Sequence, residues 1–102
     1  MVLAYNEENK ISNVIQDYLD LFDEIIVIDD ASKDKTKEIV EDQNSSKIRL
    51  IRNKKNLGAG KSFEIGINKF LQSDSKFLIK VDGDSQFLKT DVIKMIDLFE
   101  NK

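Results

Sequence analysis

Asp82-Gly83-Asp84 sets two carboxylates one residue apart behind the apolar run Phe77-Leu78-Ile79-Lys80-Val81. The glycine between them lets the backbone turn and a cation or a phosphate come close, and a divalent ion held there would bridge a diphosphate. A plain turn suits Asp and Gly equally well. An EF-hand calcium loop is excluded, because Phe87 stands where that loop needs Gly and Ile93 where it needs a bidentate Glu. A second acid pair, Asp29-Asp30, follows Ile25-Ile26-Val27-Ile28. An acid after a buried strand caps the next helix or hydrogen-bonds a ribose. Like charges gathered at one site cost stability unless a cation or hydrogen bonds offset them, so two acid pairs on neighbouring strands favour a binding role. Glu7 follows the first apolar run, and Tyr5 at its end suits stacking on a base or closing the core equally.

Gly58-Ala59-Gly60-Lys61-Ser62 has the look of a phosphate loop, but a Walker loop needs Gly five positions before its Gly-Lys pair and Lys55 stands there. No ATPase is expected. The segment reads as a helix start whose backbone N–H groups either meet an anion or are capped.

The missing residue types narrow the chemistry. With no His and no Cys, zinc sites of Cys and His, thiol nucleophiles, disulfides and Ser-His-Asp arrangements are excluded. Any metal must sit on oxygen, which means Mg²⁺, Mn²⁺ or Ca²⁺, and 19 acidic residues supply candidates. The 16 Lys and Arg residues are spread along the chain and the net charge is −3, so no nucleic-acid partner is expected. No apolar run approaches the roughly 20 residues needed to cross a bilayer, and the start lacks the regions of a secretory signal. The expected compartment is the cytoplasm. At 102 residues and 40% apolar content, one domain around one core is expected.

The elements that would position these groups follow from periodicity. Met1 to Tyr5 reads as a buried strand, and Ile11, Val14, Ile15, Tyr18, Leu19 and Phe22 recur at helical spacing behind a cap at Asn6 or Asn9. Glu24 to Asp29 is a second strand whose run Ile25-Ile26-Val27-Ile28 is β-branched without alternation, the pattern of a strand covered on both faces. A short helix from Asp34 to Asp42 turns Ile39 and Val40 inward, and Ile48 to Arg52 makes a third strand nearer a sheet edge. A third helix spans about Gly60 to Ser73, with Gly66 marking close packing; Phe77 to Val81 is a fourth strand, and Val92, Ile93, Ile96 and Phe99 define a last helix. Strand and helix alternate four times. That order predicts an α/β layer fold with a mainly parallel sheet, whose ligand lies beyond the carboxyl ends of the strands. Those ends carry Glu7, Asp29 with Asp30, and Asp82 with Asp84.

Taken in order, Ala4-Tyr5-Asn6-Glu7-Glu8, then Glu24 to Thr36 with its Asp29-Asp30-Ala31-Ser32, then Asn56-Leu57-Gly58, then Val81-Asp82-Gly83-Asp84-Ser85-Gln86 resemble the nucleotide-sugar-binding half of family 2 glycosyltransferases. The resemblance implies a GT-A fold, a Rossmann-like three-layer sandwich, here truncated. It implies that Tyr5, Glu7, Asp29, Asp30 and Asp82 contact a UDP- or GDP-sugar, with Asp30 at the base. Asp82 and Asp84 would hold Mg²⁺ or Mn²⁺ against the diphosphate. Asp-Gly-Asp with Gln86 resembles the polyprenyl-phosphate mannosyl- and glucosyltransferases of cell-envelope biosynthesis, in which that Gln joins the metal shell. The implied reaction inverts the sugar by in-line attack of a glycan or lipid-phosphate acceptor, and no residue here is a convincing base.

The family usually has Pro where Leu3 stands, and its members run on well past the acid pair. Residues 1–102 are therefore expected to be the nucleotide-sugar-binding part of a longer enzyme, without the acceptor half, and membrane association is open to the whole protein. Two alternatives from other classes are a non-catalytic nucleotide- or metal-binding fragment and a receiver-like signalling domain. Receivers carry their acid pair after the first strand, and here it follows the second.

Overall fold

A computed structural model of the chain describes residues 1–76, 78–83 and 89–100. Strands β1 (Val2–Ala4), β2 (Ile25–Asp29), β3 (Ile48–Arg52) and β4 (Val81–Asp82) alternate with helices α1 (Ile11–Tyr18), α2 (Thr36–Asp42), α3 (Ala59–Leu71) and α4 (Lys89–Glu100). The strands form one sheet in the order β3-β2-β1-β4, and every pairing is parallel. The α/β layer architecture expected from the alternation is the one observed.

The sheet has a core on each face because its inner strands are apolar at both parities. Val2, Ala4, Ile25, Val27 and Val81 face α1, α2 and α4, meeting Ile11, Val14, Ile15, Val40 and Val92. Met1, Leu3, Ile26 and Ile28 face the other way, toward Ile65 of α3. Ile11, Val14 and Ile15 are fully buried, and each such side chain stabilises the fold by about 1.5–3 kcal/mol relative to exposure. All of β2 is buried, whereas β3 is half-buried to exposed and alternates only in part, as the strand at the sheet edge. Gly66 is required by packing: a Cβ there would collide with the Met1 sulfur.

Several boundaries differ from the sequence reading. β4 is a strand only at Val81–Asp82, because β1 offers it only Val2 and Leu3 as partners; a hydrogen bond from the Met1 nitrogen to Ile79 O continues the contact below. Phe77 lies outside the described residues. α1 starts after Lys10 with no side-chain cap, and it stops at Tyr18. Neither Asn6 nor Asn9 caps it: Asn6 takes a left-handed φ of 53° and turns its amide oxygen to the Lys33 N–H. α2 starts at Thr36, two residues later than expected, because Asp34 spends its carboxylate on the Thr36 N–H and hydroxyl.

Candidate functional site

Strand alternation decides which acids can meet. In β2, Ile25 and Val27 face α1 and α2, so Asp29 does too; Ile26 and Ile28 face α3, and Asp30 continues that parity one residue past the strand. The register Ala4↔Asp29 puts Tyr5 beside Asp30, and Leu3↔Asp82 puts Asp82 on the same face. A cleft of about 300 Å³ opens there at the carboxyl ends of β1, β2 and β4, lined by Tyr5, Glu7, Asp30, Ser62, Asp82 and Gly83. A smaller apolar cavity of about 60 Å³ lies at the opposite end of the sheet, between Tyr18, Phe22, Phe70 and Leu78, away from these acids.

Asp30 is nearly buried and anchors the loop between β3 and α3. Its Oδ1 accepts from Asn53 Nδ2 and from the Leu57 N–H, each at 2.8 Å, and its Oδ2 from the Gly58 N–H at 2.9 Å. Asn53 Nδ2 also donates to Ser62 Oγ at 3.0 Å, and the Ser62 hydroxyl bonds Asp30 in turn. Burial pushes the Asp30 carboxyl up, but the bonds from Leu57, Asn53, Gly58 and Ser62 outweigh it and hold the group below its ordinary range. The carboxylate is thus the anion that the 57–58 turn enfolds. Gly58 caps α3 at φ 91°, a conformation that favours glycine. Gly58 to Ser62 is a helix start, with the N–H groups of Leu57 and Gly58 already taken by Asp30.

Asp29 is fully buried on the other face and does not line the cleft among the described residues. Its Oδ1 accepts from the Ser32 N–H at 3.0 Å and from the Ser32 hydroxyl, and the Arg52 Nε lies 3.7 Å from Oδ2. Arg52 also donates to Ser32 O at 2.9 Å, tying the end of β3 to the loop after β2. That loop supports the loop after β1. Ser32 Oγ accepts from the Asn6 N–H and Thr36 Oγ1 from the Glu7 N–H, each at 2.9 Å, and Asp34 from the Glu8 N–H at 3.2 Å. Burial pushes the Asp34 carboxyl up, yet bonds from Thr36 and Glu8 bring it below its usual value.

At the far wall, Asp82 is half-exposed and its Oδ1 lies 3.3 Å from the Lys80 ammonium. Gly83 donates to Leu3 O at 2.8 Å, and a Cβ added to it would meet Leu3 O at 3.0 Å and Glu7 Cγ at 3.2 Å. A glycine is what lets β4 close against the start of the β1 loop. Asp84 and Gln86 lie outside the described residues, and among those described no three acids gather as a metal cluster.

The structure therefore brings together Tyr5, Glu7, Asp30 and Asp82 of the acids and aromatics singled out by sequence, and leaves Asp29 on the opposite face. The sequence reading missed Asn53 and Ser62, which share the Asp30 network, and the supporting trio Ser32, Asp34 and Thr36. Asn53 had a signal: it is the first residue after β3, one step past the partner of Asp29 in the register Asp29↔Arg52.

Comparison with known proteins bears on this site. The model of glycosyl transferase family 2 matches residues 1–102. An uncharacterized protein of Methanocaldococcus jannaschii is 38% identical over 99% of this chain and 46% of its own length. A dolichyl-phosphate beta-glucosyltransferase of Dictyostelium discoideum is 36% identical over 82% of this chain and 29% of its own. A UDP-N-acetylglucosamine–dolichyl-phosphate N-acetylglucosaminyltransferase of Methanococcus voltae is 29% identical over 94% of this chain and 44% of its own. The chain spans less than half the length of these relatives.

Proposed function

The chain belongs to glycosyl transferase family 2, and we propose that its cleft is the donor site of an inverting glycosyltransferase that takes a nucleotide-diphosphate sugar and delivers the sugar to a lipid phosphate. Family membership leaves no room for the receiver-like alternative. One observation carries the proposal: three parallel strand ends deliver Tyr5, Asp30 and Asp82 to one cleft, walled by the start of α3.

Each group has a chemical part. Tyr5, 39% exposed at the cleft, offers a ring face to a nucleobase. Asp30 is held by three fixed N–H donors, so a base N–H reaches it only by displacing the rotatable Ser62 hydroxyl. Glu7 lines the same cleft and offers a carboxylate to a ribose hydroxyl. Asp82 offers an oxygen donor of the kind a hard divalent cation takes, and a cation there would displace the Lys80 ammonium that now lies against it. Asp84 and Gln86 are the proposed further ligands. Asp82, with Asp84 and Gln86, would hold Mg²⁺ or Mn²⁺, which would supply positive charge against that of the departing nucleoside diphosphate. A lipid phosphate is already anionic, which agrees with the lack of a convincing base among these residues. The proposed setting is the cytoplasmic side of a membrane; no helix among the described residues is long and apolar enough to cross one.

Calorimetry tests this. UDP or GDP is expected to bind weakly with Mn²⁺ and hardly at all with EDTA, and Asp84→Asn should remove most of the metal-dependent part. Equal affinity in both buffers would sink the metal-bridged reading.

A further inference from the structure

The charges of the three loops at the carboxyl ends of β1, β2 and β3 are sorted by depth. Their acids are Glu7, Glu8, Asp29, Asp30 and Asp34, and none is exposed: Asp29 and Asp30 are buried and the others half-buried. Asp29, Asp30, Asp34 and Glu8 accept hydrogen bonds from the loops themselves. Their cations Lys10, Lys33, Lys35, Arg52, Lys54 and Lys55 are all exposed. Among the described residues, none of the five lysines has an ion-pair partner. Two bonds draw the loops into one surface: Arg52 to Ser32 O, and the Lys33 N–H to Asn6 Oδ1. Leu57, 38% exposed, stands on the same rim two residues after Lys55.

At the opposite end of the sheet the exposed acids Asp20, Asp23, Asp42 and Asp74 stand with Lys47, Lys76 and Lys89, the last 3.5 Å from Asp20. Among the described residues these three loops are thus basic in a chain of net charge −3, beside a cleft whose β4 wall carries the half-exposed Asp82.

We infer that the lysines of these loops, with Leu57, form a peripheral membrane-docking surface that binds anionic lipid headgroups and holds the cleft mouth at the bilayer. Unpaired lysines beside an exposed apolar side chain suit the interface, where cations meet the negative surface potential and a leucine enters the acyl boundary. The far end, where acids and lysines nearly balance, offers no such attraction, so the loops set the orientation. The choice of a lipid surface over nucleic acid rests on the proposed lipid-phosphate acceptor; the charge sorting does not.

Co-sedimentation of the chain with vesicles tests this, with neither acceptor lipid nor nucleotide present. Binding is expected to vesicles of phosphatidylcholine with about 30% phosphatidylserine, to be lost in 0.5 M salt, and to be absent with phosphatidylcholine alone. Lys54→Glu/Lys55→Glu should weaken it by about 20-fold or more, since each lysine near such a surface contributes roughly fivefold. Lys33→Glu/Lys35→Glu, on the neighbouring loop, should act alike and serves should the first pair fail to fold. Both pairs should bind UDP with Mn²⁺ as the parent does, which separates this test from that of the donor site. Equal binding to neutral vesicles, unchanged binding by both pairs, or preference for a DNA duplex over the vesicles would overturn the proposal.

Discussion

Asp29 and Asp30 are neighbours in sequence and opposites in circumstance. Asp29 closes a corner on the α2 side, where Ser32, Asp34, Thr36 and Arg52 bond one another and the loop after β1. Asp30 closes a corner on the α3 side with Asn53, Leu57, Gly58 and Ser62, but that corner also forms part of a cleft wall. The first corner is framework. The second is framework with one face on the cleft, and the difference is set by which side of a pleated strand each carboxylate leaves from.

Substitutions can break this contrast. Asp30→Ala should do most damage, because it takes the acceptor from the Leu57 and Gly58 N–H groups together and leaves the Asn53 amide only Ser62 Oγ. A donor left without its acceptor costs about 1–3 kcal/mol when buried and less when part-buried as the Leu57 and Gly58 groups are, so urea unfolding should show a loss of about 2 kcal/mol or more, with UDP binding gone. A loss under about 1 kcal/mol would mean the turn holds itself.

The same carboxylates should govern acid stability. Asp30 and Asp34 both sit below the ordinary value of 3.8 in the folded chain, so the stability they contribute is fully present above the unfolded value and is lost as pH falls through the folded ones. The urea midpoint should hold from pH 7 to about 5 and drop below about 4, and Asp30→Ala should flatten part of that drop. A midpoint that rises on acidification would contradict the hydrogen-bond assignment.

Gly58→Ala should cost about 1–2 kcal/mol through backbone strain alone, because nothing lies within 4 Å of the added methyl while φ stays at 91°. Gly60→Ala, in equally open space inside α3, should be neutral or slightly stabilising. Equal effects would remove the special role of the turn. A change confined to stability is expected from Asp29→Asn, which keeps an oxygen for Ser32 but sets an amide NH2 in the fully buried place of Oδ2, facing the Arg52 guanidinium: about 1–2 kcal/mol, with UDP binding unaltered. Lost UDP binding there would bring Asp29 back to the nucleotide.

Much of the fold was legible because the apolar runs differ in kind. Ile25 to Ile28 showed a strand buried on both faces, and the 3–4 residue spacing from Ile11 to Tyr18 showed a helix on one of them. The cleft was legible as strand ends carrying acids, and Tyr5, Glu7, Asp30 and Asp82 line it. Treating Asp29 with Asp30 as one pair ignored that adjacent strand residues point oppositely, a rule available from sequence. The roles of Asn53 and Ser62 were not available in that way. They depend on the β3 loop folding back over β2, which no local pattern encodes. The charge sorting was hidden for the same reason, since lysines dispersed along the chain share one end only after the strands align.

The pairing of Val2 with Val81 joins segments far apart in sequence, whereas β2 and β3 pair across a single helix. Closing the longer loop costs more chain entropy, and only two residue pairs reward it. The β4 edge should therefore dock after the β1-β2-β3 sheet during folding and detach before it in partial opening. The Val81 and Gly83 amides, bonded to Met1 O and Leu3 O, would then exchange with solvent sooner than those of β2. A ligand touching both Asp30 and Asp82 would bind across that seam and slow its opening, so the wall that forms last would be the one an occupied cleft holds shut.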